Sequence, residues 1–390
     1  MVDIRGAIPT AGLTDGVVTV EAGVITRVAA AGGTAPPPAG VILPGLIDIH
    51  CHGGGGHSFA TSDPGEALAA AAHHAAAGTT GVIASLVTAA PADLLAQVRA
   101  LAPLVAGGHL LGIHLEGPFL SPARRGAHAP GLLRDPDPAL AAGLLDAARG
   151  AIKIVTIAPE RPGAAAVSDM FRTAGVVVAY GHTDADYLCM ADALSAAAGA
   201  ALVTHLGNAM PPLRHRAAGP VAAALVAAAA GTASVELIAD GVHVDAGFTR
   251  LVFAAAAPGR VVLVTDAMAA AGMPDGSYTL GPLRVTVSGG VARLTAAGDA
   301  GPGGDLGAGP GAELGAIAGG TSSLLQVVAT ACGAGVPLAD AARAASEAPA
   351  RVLGLSAARG ALAPGMAADL VIADEKLTVR RVMRAGRWLG

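Results

Sequence analysis

Between Val41 and Thr265 the chain repeats one unit eight times: a short run rich in β-branched residues, in most cases followed by an alanine-rich stretch. The runs are Val41 to Ile49, Thr80 to Val87, Leu110 to Leu115, Ile152 to Ile157, Gly175 to Tyr180, Ala201 to Thr204, Ser234 to Ala239 and Val261 to Thr265. β-Branched residues favour strands and alanine favours helix, so the repeat reads as eight βα units in succession. It predicts an α/β fold, a (β/α)8 TIM-type barrel, whose functional groups lie at the C-terminal ends of its strands. The flanks have another rhythm. Val17 to Val20 and Val24 to Val28, separated by Glu21-Ala22-Gly23, read as a hairpin, and Ala368 to Ile372 and Val379 to Trp388 are again strand-like. Residues 1–43 and 356–390 are therefore expected to form a small β-sandwich beside a catalytic barrel of residues 44–355. Late in the barrel, Ser277 to Leu280 and Leu283 to Val287 read as strands, Gly298 to Gly315 as a mobile lid-like loop, and Thr321 to Leu355 as mostly helix.

Composition narrows the function classes. Hydrophobic residues make up 53% of the chain but aromatics only 2%, so the core must be built from small, close-packed side chains. Three cysteines, Cys51, Cys189 and Cys332, share no spacing that suggests a disulfide framework or a metal pair, which suits a reducing cytoplasm. The start, Met1-Val2-Asp3-Ile4-Arg5, lacks the features of a signal peptide. The longest apolar stretch, Val221 to Ala230, is about half the length of a membrane span, so no membrane partner is expected. A net charge of −5 argues against nucleic acid as a partner, and an anionic substrate would need a local basic pocket.

Ligand-type residues stand at the ends of the runs. Leu43-Pro44-Gly45-Leu46-Ile47-Asp48-Ile49-His50-Cys51-His52-Gly53 is an apolar strand that stops at two histidines. Side chains alternate along a strand, so His50 and His52 point the same way, about 7 Å apart, and Cys51 faces away. Alone, such a pair fits a metal site or a simple strand-edge pair equally well. Glu116, His182, His205 and Asp266 end the third, fifth, sixth and eighth runs, and His243 lies in the loop after the seventh. Histidine and carboxylate are the donors that a borderline divalent ion such as Zn2+ or Fe2+ prefers, and on a barrel these positions converge on one mouth.

The motifs His114-Leu115-Glu116-Gly117-Pro118-Phe119-Leu120, Gly126-Ala127-His128, Gly181-His182-Thr183, Thr204-His205-Leu206, Asn208-Ala209-Met210, Ala239-Asp240-Gly241-Val242-His243 and Thr265-Asp266-Ala267-Met268 resemble, in order, those of the N-acetylglucosamine-6-phosphate deacetylase family. That family lies within the amidohydrolase superfamily. The likeness covers nearly the whole chain, including Pro364 to Val371. It implies that Glu116, His182 and His205 hold the principal divalent ion. His50 and His52 would hold a second ion bridged by Glu116, although some members lack that pair and use one ion. It also implies Asp266 as catalytic base, His128 as a hydrogen-bond donor to the substrate carbonyl, and Asn208, Ala209, Arg216 and His243 as contacts to the sugar phosphate. The resemblance further implies a homodimer in which Arg216 reaches the site of the neighbouring subunit. The implied reaction is hydrolysis of the acetamide of N-acetyl-D-glucosamine 6-phosphate, a small-molecule amino-sugar phosphate, in amino-sugar catabolism or cell-wall recycling. The alternatives are an amidohydrolase acting on a different amide or cyclic amide, and a catalytically silent sugar-phosphate-binding barrel. Gly207 departs from the family, many of whose members have an aromatic residue there. His57 reads as a loop residue, His73, His74 and His109 as structural, and His114 as a support for Glu116 on the same strand face.

Overall fold

The computed structural model describes residues 1–9, 13–32, 38–197, 201–295 and 315–389. All but the last residue of the expected 298–315 loop lies outside the described residues.

Eight strands form one parallel sheet in sequence order: β1 (Leu46–Cys51), β2 (Thr79–Val87), β3 (Gly112–Glu116), β4 (Ile152–Ile157), β5 (Val177–Tyr180), β6 (Ala201–Val203), β7 (Ala233–Leu237) and β8 (Val261–Leu263). The segment after β8 meets β1 to close the ring. Asp266 N–H donates to the His50 carbonyl at 2.9 Å, and His52 N–H donates to the Ala267 carbonyl at 2.7 Å. This is the (β/α)8 barrel expected from the repeat.

Helices follow the strands, and several begin where the sequence supplies an acceptor. The side chains of Asp63, Asp137, Asp186 and Asp245 each accept a backbone N–H of the helix they precede. Between strands and helices lies the main core, mostly alanine, valine and leucine, with Phe59, Phe119 and Phe171 fully buried. Inside the barrel Ile49, Ile83, Ile154, Leu202 and Val262 pack with Ala348 and Ala350 of the short helix Glu347–Val352. Two residues further along several of these strands, a polar layer replaces the apolar one. His114 contacts Ser85 Oγ (3.0 Å) and Thr156 Oγ1 (2.8 Å), and Thr156 Oγ1 lies 2.8 Å from Thr204 Oγ1. The barrel is thus plugged below and increasingly polar towards its C-terminal mouth.

The two chain ends share one seven-stranded sheet, in the order Arg387–Trp388, Val379–Arg384, Leu370–Ala373, Pro38–Pro44, Val2–Ile8, Leu13–Glu21, Val24–Ala30. It has its own small core, including Ile4, Ile8, Val18, Ile42, Leu370 and Ile372. Two local expectations are revised. The run Val41 to Ile49, read as one strand, divides at Gly45, where the chain leaves this sheet and enters the barrel. A Cβ at Gly45 would lie 2.2 Å from Thr80 Oγ1, so only glycine allows the two sheets to approach so closely. In addition, the strands Gly276–Leu280 and Leu283–Ser288 are joined by a third, Val291–Leu294.

Candidate active site

The strand-end residues converge on one point around Glu116, the last residue of β3. Glu116 Oε1 lies 3.1 Å from His182 Nε2, 3.0 Å from His205 Nε2 and 3.3 Å from His50 Nε2. Glu116 Oε2 lies 3.2 Å from His52 Nε2 and 3.3 Å from His128 Nε2. Asp266 Oδ1 faces His52 Nε2 at 3.1 Å and His50 Nε2 at 3.4 Å. All five histidines and Glu116 are buried. A regular strand would not by itself turn His50 inward beside Ile49. The pairing of β1 with β2 slips between Asp48 and Cys51, and that irregularity re-aims the histidine. His182, His205 and Asp266 all have positive φ (45°, 27° and 49°), a conformation non-glycine residues adopt rarely and at a cost. Surrounding backbone holds Asp266 in it: Gly320 N–H donates to its carbonyl at 2.7 Å, and a Cβ on Gly320 would lie 2.2 Å from Thr265 O.

The partner behind each ring decides what its inward nitrogen offers. The Nδ1 of His182 faces the Arg124 carbonyl at 2.9 Å, that of His52 the Ser85 carbonyl at 3.1 Å, and that of His50 the Glu236 carboxylate at 2.9 Å. Each partner is an acceptor, so in the neutral ring Nδ1 carries the proton and Nε2 presents a lone pair to the centre. His128 is the reverse. The backbone N–H of Thr88 donates to its Nδ1 (3.3 Å), so the neutral ring carries its proton on Nε2 and directs a donor inward. His128 lies close enough to Glu116 and His182 to be grouped with them as a ligand, but a donor behind Nδ1 assigns it to hydrogen bonding instead. The Nδ1 of His205 is buried with no hydrogen-bond partner.

The cluster's charges are strongly coupled. Burial alone would push the Glu116 and Asp266 carboxyls up, but the histidines hold both well below the usual carboxylate range, His50 and His182 acting on Glu116 and His50 and His52 on Asp266. Burial resists charging His52, yet hydrogen bonds to Asp266 and Glu116 push it up to about 9. His50 goes well above its ordinary value because Glu116, Glu236 and Asp266 outweigh its burial. Burial dominates at His128 and pulls it down to about 4, which keeps it neutral. The donor set, with lone pairs and carboxylates facing one point and protons standing in for positive charge, fits a divalent cation.

A cavity of about 300 Å3 opens above this centre. Asn208, Ala209 and His243 line it together with His128 and Asp266. Burial disfavours charge on His243, but the hydrogen bond and charge of Asp240, 2.8 Å from its Nδ1, hold it above the ordinary value. The Asn208 amide does not face the cavity as a free anion donor. It donates to the His205 carbonyl at 3.0 Å, which leaves the Ala209 amide for that part. Arg216 is exposed and lines no part of the cavity of its own chain. The cavity's arginines are Arg124 and Arg125, brought there by the loop after β3. His57 is paired with Glu66 at 2.9 Å, and His74 is buried against Gly53 O and Cys51 Sγ. Glu236, inside an apolar strand, had no sequence signal. Asp48, of the Pro-Gly-x-x-Asp-x-His-x-His stretch, accepts Thr265 Oγ1–H at 2.5 Å, tying β1 to the end of β8.

The amidohydrolase family model matches residues 41–389. The chain is 39% identical over 271 residues to an N-acetylglucosamine-6-phosphate deacetylase of Bacillus subtilis (strain 168), covering 66% of each chain. It is 34% identical over 354 residues to an N-acetylgalactosamine-6-phosphate deacetylase of Escherichia coli O157:H7, covering 90% of this chain and 88% of that one. Among solved structures it is similar to a mutant N-acetyl-D-glucosamine-6-phosphate deacetylase from Mycobacterium smegmatis in complex with N-acetyl-D-glucosamine-6-phosphate, with a TM-score of 0.89, 42% identity, and 99% of this chain and 98% of that one covered. With residues 41–389 matched and the barrel reproduced, the chain belongs to the amidohydrolase family.

Proposed function

We propose that this protein is a metal-dependent deacetylase that hydrolyses N-acetyl-D-glucosamine 6-phosphate to D-glucosamine 6-phosphate and acetate, within amino-sugar catabolism or cell-wall recycling. The observation that carries the reading is the convergence of Glu116, His182, His205, His50, His52 and Asp266 on one point at the barrel mouth.

In this reading Glu116, His182 and His205 hold a principal ion, and His50 and His52 with Glu116 hold a second. Zinc or iron(II) suits the donors. When bound, such a cation lowers the pKa of water towards about 7 and polarises the acetamide carbonyl. The protein supplies the rest. The Asp266 carboxylate takes a proton from the attacking water as the O–C bond forms, then delivers it to the amine as the C–N bond breaks. His128, neutral with its proton on Nε2, donates to the carbonyl oxygen as negative charge gathers there. His243, the Ala209 amide and the second N–H of the Asn208 side-chain amide, whose first donates to the His205 carbonyl at 3.2 Å, bind the sugar phosphate. Arg216 can add its guanidinium only to the cavity of a second copy, which goes with a homodimer. The exposed apolar side chains Leu188, Leu213, Val226 and Leu251 support such a contact.

No helix among the described residues is long and apolar enough to cross a membrane. That absence and the three free cysteines support a cytoplasmic enzyme. The decisive experiment is metal analysis of the purified protein, coupled to acetate release from N-acetylglucosamine 6-phosphate before and after chelation. Activity that survives complete removal of metal rejects the mechanism. Because one relative is an N-acetylgalactosamine-6-phosphate deacetylase, the 4-epimer belongs in the same assay, and a higher kcat/KM for it would reassign the substrate.

A further inference from the structure

We infer that Glu236 is a positioning residue that aims His50 and sets how tightly the His50–His52 half of the site holds its divalent cation. The inference rests on the metal site proposed above.

Glu236 lies in β7 between Val235 and Leu237, and its side chain is fully buried. Its Oε2 accepts from His50 Nδ1 (2.9 Å) and from the His205 backbone N–H (3.2 Å), and its Oε1 has no hydrogen-bond partner. A buried carboxylate is expensive unless positive charge compensates it. Among the described residues its only ion-pair partner is His50. That ring is also approached by Glu116 Oε1 at 3.3 Å and Asp266 Oδ1 at 3.4 Å, so three carboxylates meet at one imidazole. One divalent cation offsets two of those three charges. A second removes the deficit.

Placement makes the same point. His182 is oriented by a neutral carbonyl, and the Nδ1 of His205 by nothing. The one carboxylate stands behind His50, a ring that a one-ion site made of Glu116, His182 and His205 does not require. A carboxylate behind a ligating imidazole fixes its tautomer and raises its basicity. Glu236 therefore strengthens the half of the site on which the number of ions depends.

The test is metal stoichiometry of the full-length protein, by elemental analysis after dialysis against graded chelator and by cobalt titration followed in the visible spectrum. Wild type should bind two ions per chain. Glu236→Gln should keep the first unchanged and hold the second about 10- to 100-fold more weakly, the range seen when such outer partners are removed. The metal-free Gln variant should still fold and melt cooperatively, because the glutamine carbonyl can accept from His50 Nδ1 in place of the carboxylate. A residue that merely supports the fold would instead lower the melting temperature with and without metal and leave the stoichiometry at two. Two ions held equally tightly in wild type and Glu236→Gln overturn the role of Glu236. A single ion in metal-saturated wild type overturns this role of Glu236 while the proposed deacetylase stands, and no ion at all overturns both. If the Gln variant does not fold, Glu236→Asp, whose shorter side chain withdraws from His50, must also weaken the second ion, and an undiminished second ion there overturns the inference.

Discussion

Replacing Asp266 by asparagine keeps the shape of the side chain and removes its capacity to take a proton. In the structure Asp266 Oδ1 is 3.1 Å from His52 Nε2, and Oδ2 is 3.9 Å from His243 Nε2, so the carboxylate borders both the cluster and the cavity. Glu116, His50, His52, His182 and His205 all remain in place, so metal should remain bound. Positioned acid–base help is worth about 10²- to 10⁴-fold, equivalent to about 2.7–5.4 kcal/mol of barrier at 1.36 kcal/mol per decade. Asp266→Asn should therefore lower kcat for acetate release by at least a hundredfold, with KM for the sugar phosphate changed far less and the metal content equal to that of wild type. Saturation kinetics and elemental analysis on one preparation read both quantities. A kcat within tenfold of wild type, with metal intact, would show that another group moves the proton. A matching loss of metal would show that Asp266 is a ligand first.

Two further outcomes follow from the charges. Arg216→Ala should cut kcat/KM for the phosphorylated sugar by tenfold or more and leave an unphosphorylated analogue nearly unchanged, since a guanidinium acts on the phosphate and not on the acetamide; equal effects on both substrates would remove Arg216 from the phosphate site. In the metal-free protein, His52 is raised from its ordinary 6.5 to about 9, so the folded state binds that proton more tightly than the unfolded chain. The resulting stabilisation, about 3 kcal/mol from the shift, is complete below about pH 6.5 and is lost as pH rises through about 9. Scanning calorimetry in chelator should show Tm falling over that interval, and a Tm that rises across it would contradict the assigned proton.

Much of this was legible in the sequence because a barrel places chemistry by a simple rule. Glu116, His182, His205 and Asp266 each follow a β-branched run, and once the runs were ordered their meeting at one mouth followed. What escaped depended on contacts between distant segments. Gly45 looked like part of a continuous strand because the approach of Thr80 that divides it comes from another element. Glu236 sits in an apolar run whose alternation does not say which carboxylate faces a histidine across the barrel. Arg124 and Arg125 reach the cavity through a loop with no period, whereas Arg216, in a similarly charged triplet, stays exposed. The different duties of His128 and His182 came only through the family resemblance, because physically they depend on whether an N–H or a carbonyl stands behind the ring.

The division at Gly45 bears on how the site is assembled during synthesis. Glu116, His182 and His205 come from the middle of the chain and can meet once β3 to β6 have been made. His50 and His52 belong to a segment whose preceding strand, Pro38–Pro44, is flanked by Leu370–Ala373, with Leu43 opposite Val371. Gly45 N–H itself donates to the Asp369 carbonyl at 2.8 Å. A nascent chain therefore presents one half of its ligands about 165 residues before it can clamp the strand carrying the other. The two halves of the site are separated in time as well as in sequence, and a strand made after all the ligands is the one that secures the second half.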